Sequence, residues 1–196
     1  MHLIVGLGNP GETYAHTRHN AGADAVRAFA RLCGGDWESD TYARGDISRC
    51  ADGKTLCLIP SSYMNESGAS VAACARKEEI SPENIIVVHD DIDIPLGRVR
   101  ISRGGGDGGH RGVASVAKSL GTKDFIRVRI GIAPHGAFAP RRPRGGEAVS
   151  RFVLKRFSVL ERGRAEKGIR TGAEAIALVL KKGIAAAQNA FHRAEE

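Results

Sequence analysis

At 196 residues, with 42% hydrophobic and 26% charged residues, the chain has the make-up of one globular domain long enough to bury a full core. No run reaches the roughly 18 apolar residues of a membrane-spanning helix, and Met1 leads straight into LIVGL without a signal-peptide pattern, which predicts a cytoplasmic chain with no membrane partner. The net charge of +7 is unevenly divided: residues 1–93 carry 8 Lys/Arg and 14 Asp/Glu, residues 94–196 carry 21 and 8, which predicts a polyanion-binding surface built from the second half.

In chain order, residues 2–7 read as a short buried strand. They run into GLGNPG (6–11), which matches the G-x-G-x-x-G dinucleotide fingerprint. That fingerprint needs a helix starting at once, so that its N-terminus faces a pyrophosphate. Pro10 biases Asn9 away from helical geometry, and ETYAHTRHNAG has no helical apolar stripe. The motif is therefore read as a tight turn, and a nicotinamide oxidoreductase is the third-ranked function. A helix is predicted over 20–32, with Val26, Phe29, Ala30 and Cys33 on one face and Gly34 ending it.

Residues 44–60 read as a hairpin turning at Asp52-Gly53. A small-residue helix follows over 67–77. NIIVVHD (84–90) has the continuous apolar character of a central strand covered on both sides. Strands are predicted at 98–102 and 125–132, separated by a helix with Val113, Val116, Ala117 and Leu120 on its apolar face and Gly121 past its end. Residues 133–147 form a Pro/Gly/Arg-rich stretch, long for a plain connection and so predicted to be a functional or mobile basic loop. Ser158 and Glu161 make a capping box opening a last helical segment, 158–196, with Gly183 ending its main helix. Alternating strands and helices predict a single-domain α/β three-layer sandwich, a twisted mixed sheet with helices on both faces. Cys33, Cys50, Cys57 and Cys74 contain no C-x-x-C pair and are expected to be reduced, mostly buried thiols.

Several polar clusters fall at strand or loop ends, where sites in such folds assemble. His19 is one of seven histidines; a neutral imidazole is the natural general base near pH 7. HDDID (89–93) offers His89, Asp91 and Asp93 on one side of an extended chain, a possible divalent-ion site. The glycine-rich 104–112 run lacks the G-K-[ST] ending of an ATP-binding loop, and no G-x-S-x-G elbow occurs.

Taken in order, GLGNPG, Tyr14, RHNAG (18–22), YMNESG (63–68), HDDID (89–93), GGGDGGHRG (104–112) and FVLKRFSVLE (152–161) resemble bacterial peptidyl-tRNA hydrolase across nearly the whole chain. The resemblance implies hydrolysis of the ester between a peptide and the 3′-terminal ribose of tRNA, with no metal and no cofactor, by a monomer. It implies His19 as general base, Asp90 as its orienting carboxylate, and Asn9 as the group that tells blocked from free aminoacyl-tRNA. Asn65, His110 and Arg111 would bind substrate, with Tyr14 and Tyr63 against the tRNA end. Arg129 would grip the tRNA's terminal phosphate. Two positions depart from the family pattern. Arg111 stands where the family has asparagine, and Ser102 where it has the lysine that assists Arg129; Arg100 and Arg103 are the neighbouring candidates to replace that lysine. The alternative function is a non-catalytic RNA-binding relative of the same fold.

Overall fold

The computed structural model describes residues 1–134 and 143–192. Seven strands form one mixed sheet: β1 (His2–Gly6), β2 (Trp37–Asp40), β3 (Gly45–Arg49), β4 (Thr55–Pro60), β5 (Ile85–Pro95), β6 (Val99–Arg103) and β7 (Ile126–Ala133), in the order β2-β3-β4-β1-β5-β7-β6. The four central strands β4, β1, β5 and β7 run parallel, while β2, β3 and β6 add antiparallel edges. The helices are α1 (Ala21–Leu32), α2 (Ser67–Lys77), α3 (Arg111–Leu120), α4 (Gly146–Val153) and α5 (Val159–His192). The predicted mixed α/β sandwich is the fold observed.

The alternation of each strand splits the core in two. Ile4, Ile86, Val88, Val128 and Ile130 face α1 and α5, where Val26, Phe29, Ala173 and Ile176 meet them. Leu3, Val5, Leu58, Ile85 and Val87 face the other way, against Val71 of α2 and Val113 and Val116 of α3. β1 and β5 are thus buried on both faces, as their unbroken apolar runs require. Covering both faces leaves the carboxyl ends of β1 and β5 as the place where polar chain emerges.

Three expectations need correction. Cys33 and Cys50 are joined in a disulfide, so only Cys57 and Cys74 are buried free thiols among the described residues. The hairpin brings the strand-end Cys50 beside the end of α1, a proximity that spacing alone does not reveal. The strand 84–90 runs on to Pro95, with an irregularity between Asp91 and Pro95. Gly183, with φ 80° and ψ 171°, is non-helical and breaks α5 in two: the main helix ends there, as expected, and a second helix runs on to His192. The 133–147 stretch is no uniform loop: its last two residues begin α4, whose half-exposed face carries too few apolar residues to announce itself. Residues 135–142, with Arg141 and Arg142, lie outside the described residues.

Candidate active site

The site is built where α1 comes down on β5. Gly22, in the first turn of α1, lies so close to β5 that a Cβ there would collide with the carbonyl oxygen of Val88. Only glycine permits this approach. It sets the turn before the helix, Arg18–Asn20, against the end of β5. His19 Nδ1 then lies 2.8 Å from Asp90 Oδ1.

A second histidine reaches the same oxygen from the opposite layer. His110 is the N-cap of α3: its Nδ1 accepts the Val113 N–H at 3.3 Å. An accepting Nδ1 carries no proton, so the neutral ring is protonated at Nε2 and donates to Asp90 Oδ1 at 3.0 Å. Asp90 is 3% exposed. Burial pushes its pKa up, but His19 and His110 outweigh burial and hold the carboxyl well below the usual carboxylate range. An ionised Asp90 only accepts, so His19 donates from Nδ1 and keeps the lone pair of Nε2 for the cleft. Burial lowers the His19 pKa, the Asp90 carboxylate raises it by more, and Arg111 pulls it back in part; the net shift is upward.

His89 completes the floor. Its Nδ1–H donates to the Asp90 carbonyl at 2.7 Å, and its ring meets that of His110 at 4.8 Å. Burial, followed by the proximity of His110, holds His89 well below the ordinary histidine range, so it stays neutral. The HDDID residues are therefore spent separately: His89 on the backbone, Asp90 on two imidazoles, Asp91 on Arg129. Among the described residues, the three ligand types that do cluster within 4.8 Å are His19, Asp90 and His110, not His89, Asp91 and Asp93. In that cluster both imidazoles are hydrogen-bonded to the Asp90 carboxylate.

Asn9 is held rigidly. Its N–H donates to Asn20 Oδ1 at 2.9 Å, and Asn20 Nδ2 returns a bond to the Asn9 carbonyl at 3.0 Å. Asn20 precedes α1 and would ordinarily cap it; its side chain is spent on Asn9 instead. The Asn9 side-chain oxygen accepts the Met64 N–H at 2.9 Å, which turns its NH₂ group to the open side. A cleft of about 270 Å³ results, lined by Asn9, Tyr14, His19, Tyr63, Asn65, Asp90, Asp91, His110 and Arg111. Tyr14 and Tyr63 meet edge to face at 6.4 Å, and Tyr63 is 57% exposed, so it is no core residue. Arg111 is the exposed first residue of α3, where a cation opposes the helix dipole. No hydrogen-bond or ion-pair partner for it occurs among the described residues.

Arg129, Arg100 and Arg103 do not line the cleft. Arg129 donates from Nε to Asp91 Oδ2 at 2.9 Å, just beyond the cleft wall. Arg100 stands directly across from Arg129 on β6, and Ser102 across from Arg127, so these four share one sheet face. Arg103 points to the other face and is engaged by Asp124 through two bonds, 2.6 and 3.2 Å.

Two positioning arginines escaped the sequence reading. Arg18, flanking His19, is buried. It donates to the carbonyls of Lys155 and Arg156 at 3.1 Å, pairs with Glu161 at 2.7 Å and lies over the Phe152 ring at 4.3 Å. It thereby ties the end of α4, which walls the cleft, to the turn that carries His19. Arg127 donates to the carbonyls of Gly104 and Gly106, pinning the glycine-rich segment that delivers His110. The FVLKRF run and the R-x-R pair in β7 were the available signals, but neither names its backbone partners.

A buried carboxylate orienting an imidazole whose second nitrogen faces a cleft defines the class: an enzyme equipped to activate water by general-base catalysis. Comparison with known proteins sharpens this. The peptidyl-tRNA hydrolase family model matches residues 3–196. The peptidyl-tRNA hydrolase of Syntrophotalea carbinolica is 39% identical over 193 residues, spanning 98% of this chain and 97% of that protein. That of Nocardia farcinica is 42% identical over 192 residues, spanning 97% and 95%. The crystal structure of peptidyl-tRNA hydrolase from Acinetobacter baumannii superimposes with a TM-score of 0.86 at 34% identity, over 96% of this chain and 93% of that one. The chain belongs to the peptidyl-tRNA hydrolase family.

Proposed function

We infer that the chain hydrolyses the ester joining peptide to tRNA in prematurely released peptidyl-tRNA, with His19, Asp90 and Asn9 as the catalytic set. The observation that carries this reading is the 2.8 Å bond from His19 Nδ1 to Asp90, which leaves Nε2 basic and turned to the cleft. A water bound to Nε2 gives up its proton to His19 as its oxygen adds to the ester carbonyl. Asp90 stabilises the imidazolium without taking its proton. The NH₂ of Asn9 donates to the carbonyl oxygen as negative charge gathers there. Collapse expels the ribose 3′-oxygen, which takes the proton back from His19. The products are a peptide carboxylate and a tRNA ready for recharging.

The remaining residues bind. Asn65 carries both donor and acceptor for the peptide backbone. Tyr14 and Tyr63 present aromatic surface to the unpaired terminal base. Arg111 has donors only, so it serves substrate oxygens, where an asparagine would serve donors as well. His110 holds the cleft side of Asp90. Arg129, with Arg100 opposite it, forms the phosphate-binding face, and Arg103 adds to the wider basic field that draws in the phosphate backbone. The chain acts in the cytoplasm as a monomer; no helix of the described residues is long and apolar enough to cross a membrane.

The test is release of an N-acetylated amino acid from its tRNA, set against the same tRNA carrying a free amino acid. Turnover of the blocked substrate, with the free one spared, is expected. Tight binding of the blocked substrate without cleavage would replace this reading with that of a non-catalytic RNA-binding relative.

A further inference from the structure

A guanidinium has two edges for paired hydrogen bonds, a side-on edge through Nε and an end-on edge through its two Nη atoms. In Arg129 one edge is already committed, because Nε donates to Asp91 Oδ2 at 2.9 Å. The other oxygen of Asp91 accepts the Asp93 N–H at 2.8 Å. The carboxylate is therefore held at both ends, by a local turn and by the arginine. Among the described residues, the Nη atoms of Arg129 have no hydrogen-bond or ion-pair partner.

The surroundings concentrate positive charge. Arg100 lies directly across from Arg129, and like charges at paired strand positions repel. Arg127 shares the face, and its Nη donors are occupied by the carbonyls of Gly104 and Gly106. Asp91 is the acid bonded to Arg129, and it lines the catalytic cleft one residue after Asp90.

We propose that Asp91 is a positioning residue for tRNA recognition: it holds Arg129 by Nε so that the end-on nitrogen pair faces the 5′-terminal phosphate of the bound tRNA. The inference rests on the reading of Arg129 as a phosphate contact. The 3′ end of the substrate carries the ester, so the terminal phosphate is the 5′ one. A guanidinium set between a fixed carboxylate and a phosphate meets both anions and keeps them on opposite edges, which a lysine cannot do. Because Asp91 adjoins Asp90 on β5, the same strand end fixes the phosphate contact and the catalytic carboxylate. The separation between them is then built into the backbone, and the tRNA end is measured against it.

The experiment compares KM for N-acetyl-aminoacyl-tRNA bearing its 5′ phosphate with KM for the same tRNA after phosphatase treatment. Both substrates meet one enzyme preparation, so a general loss of folded protein cancels in the ratio. For wild type, removing the phosphate is expected to raise KM about tenfold, the order of a charge-assisted hydrogen-bond pair. In Arg129→Ala the ratio is expected to fall to about one. In Asp91→Ala it falls to roughly two or three, because a freely rotating arginine keeps its charge and loses its aim. Asp91→Asn, whose amide oxygen still accepts from Nε, retains most of the wild-type ratio. Arg129→Lys gives a second test with Asp91 intact: its ratio drops to that of Asp91→Ala.

A wild-type ratio in Asp91→Ala, with the ratio abolished in Arg129→Ala, would overturn the positioning role and leave Arg129 as the phosphate contact. An undiminished ratio in Arg129→Ala would remove the phosphate reading, and the proposal with it. Equal losses in Asp91→Asn and Asp91→Ala would show that charge matters and the hydrogen bond does not, which also overturns it.

Discussion

The catalytic cleft and the arginine face of β6–β7 solve opposite problems with the same elementary interactions. In the cleft the buried ionisable groups have complementary partners; Arg111, exposed at the start of α3, is the exception. Asp90 is buried and accepts from two imidazoles, and Asn9 has its oxygen and backbone committed. On the arginine face, like charges stand at paired positions, and Asp91 engages Arg129 along one edge. On the proposed reading, His19, Asp90 and Asn9 come from the acidic half of the chain and the phosphate-binding arginines from the basic half, meeting at the end of β5.

The largest expected effect that separates the two regions is that of Asp90→Asn. The amide would point an N–H at His19 Nδ1 and favour the wrong tautomer, so kcat should fall by about 10²-fold or more with little change in tRNA affinity. A variant that lost affinity and kept kcat would erase the division between regions.

pH sharpens the same point. His19 has its pKa raised above 6.5, so its contribution to stability is complete below that pH and lost as pH climbs through the folded value. Asp90 is depressed from 3.8, so its contribution is complete above that pH and lost only as pH falls through a much lower folded value. Catalysis needs neutral His19. Above pH 6.5, therefore, kcat/KM should rise while the dyad's share of Tm declines, as read from wild type minus Asp90→Asn.

Smaller effects follow from packing. Gly22→Ala should cost about 1–3 kcal/mol, because its methyl meets backbone that must shift, and it should lower kcat by moving His19 off Asp90. Reducing the Cys33–Cys50 disulfide, which closes a loop of 17 residues, should cost about 3 kcal/mol on the chain-entropy account. Its effect on kcat should be slight, because His19 and Cys33 flank opposite ends of the 12-residue α1, about 18 Å long. The smallest effect is that of Arg129→Ala on the slope of log affinity against log salt, a drop of about 0.7–0.9 for one phosphate contact. A change in kcat alone would place Arg129 in the wrong region.

Much of this was legible in the sequence, for identifiable reasons. Strands such as LIVGL and NIIVVHD are buried on both faces, so their composition announces them. The small-residue helix over 67–77 is found with those bounds. The motif order pointed to His19, Asp90 and Asn9, and the structure brings them into one cleft. What stayed hidden depends on contacts distant in sequence. Nothing local says that Cys33 meets Cys50, or that Arg18 reaches carbonyls more than 130 residues away. The Asp91–Arg129 bond needs the register of two parallel strands, which composition does not encode. α4 and β2 are short and half exposed, so their apolar pattern is too thin to read.

The most direct test of the account is the single-turnover rate of N-acetyl-aminoacyl-tRNA cleavage by wild type and His19→Ala across pH 5–9. The account predicts a wild-type rate that rises with pH through a midpoint above 6.5, and a His19→Ala rate at least about 10²-fold lower with that midpoint gone. A His19→Ala enzyme within tenfold of wild type, with the same pH profile, would contradict the assignment of His19 as the base.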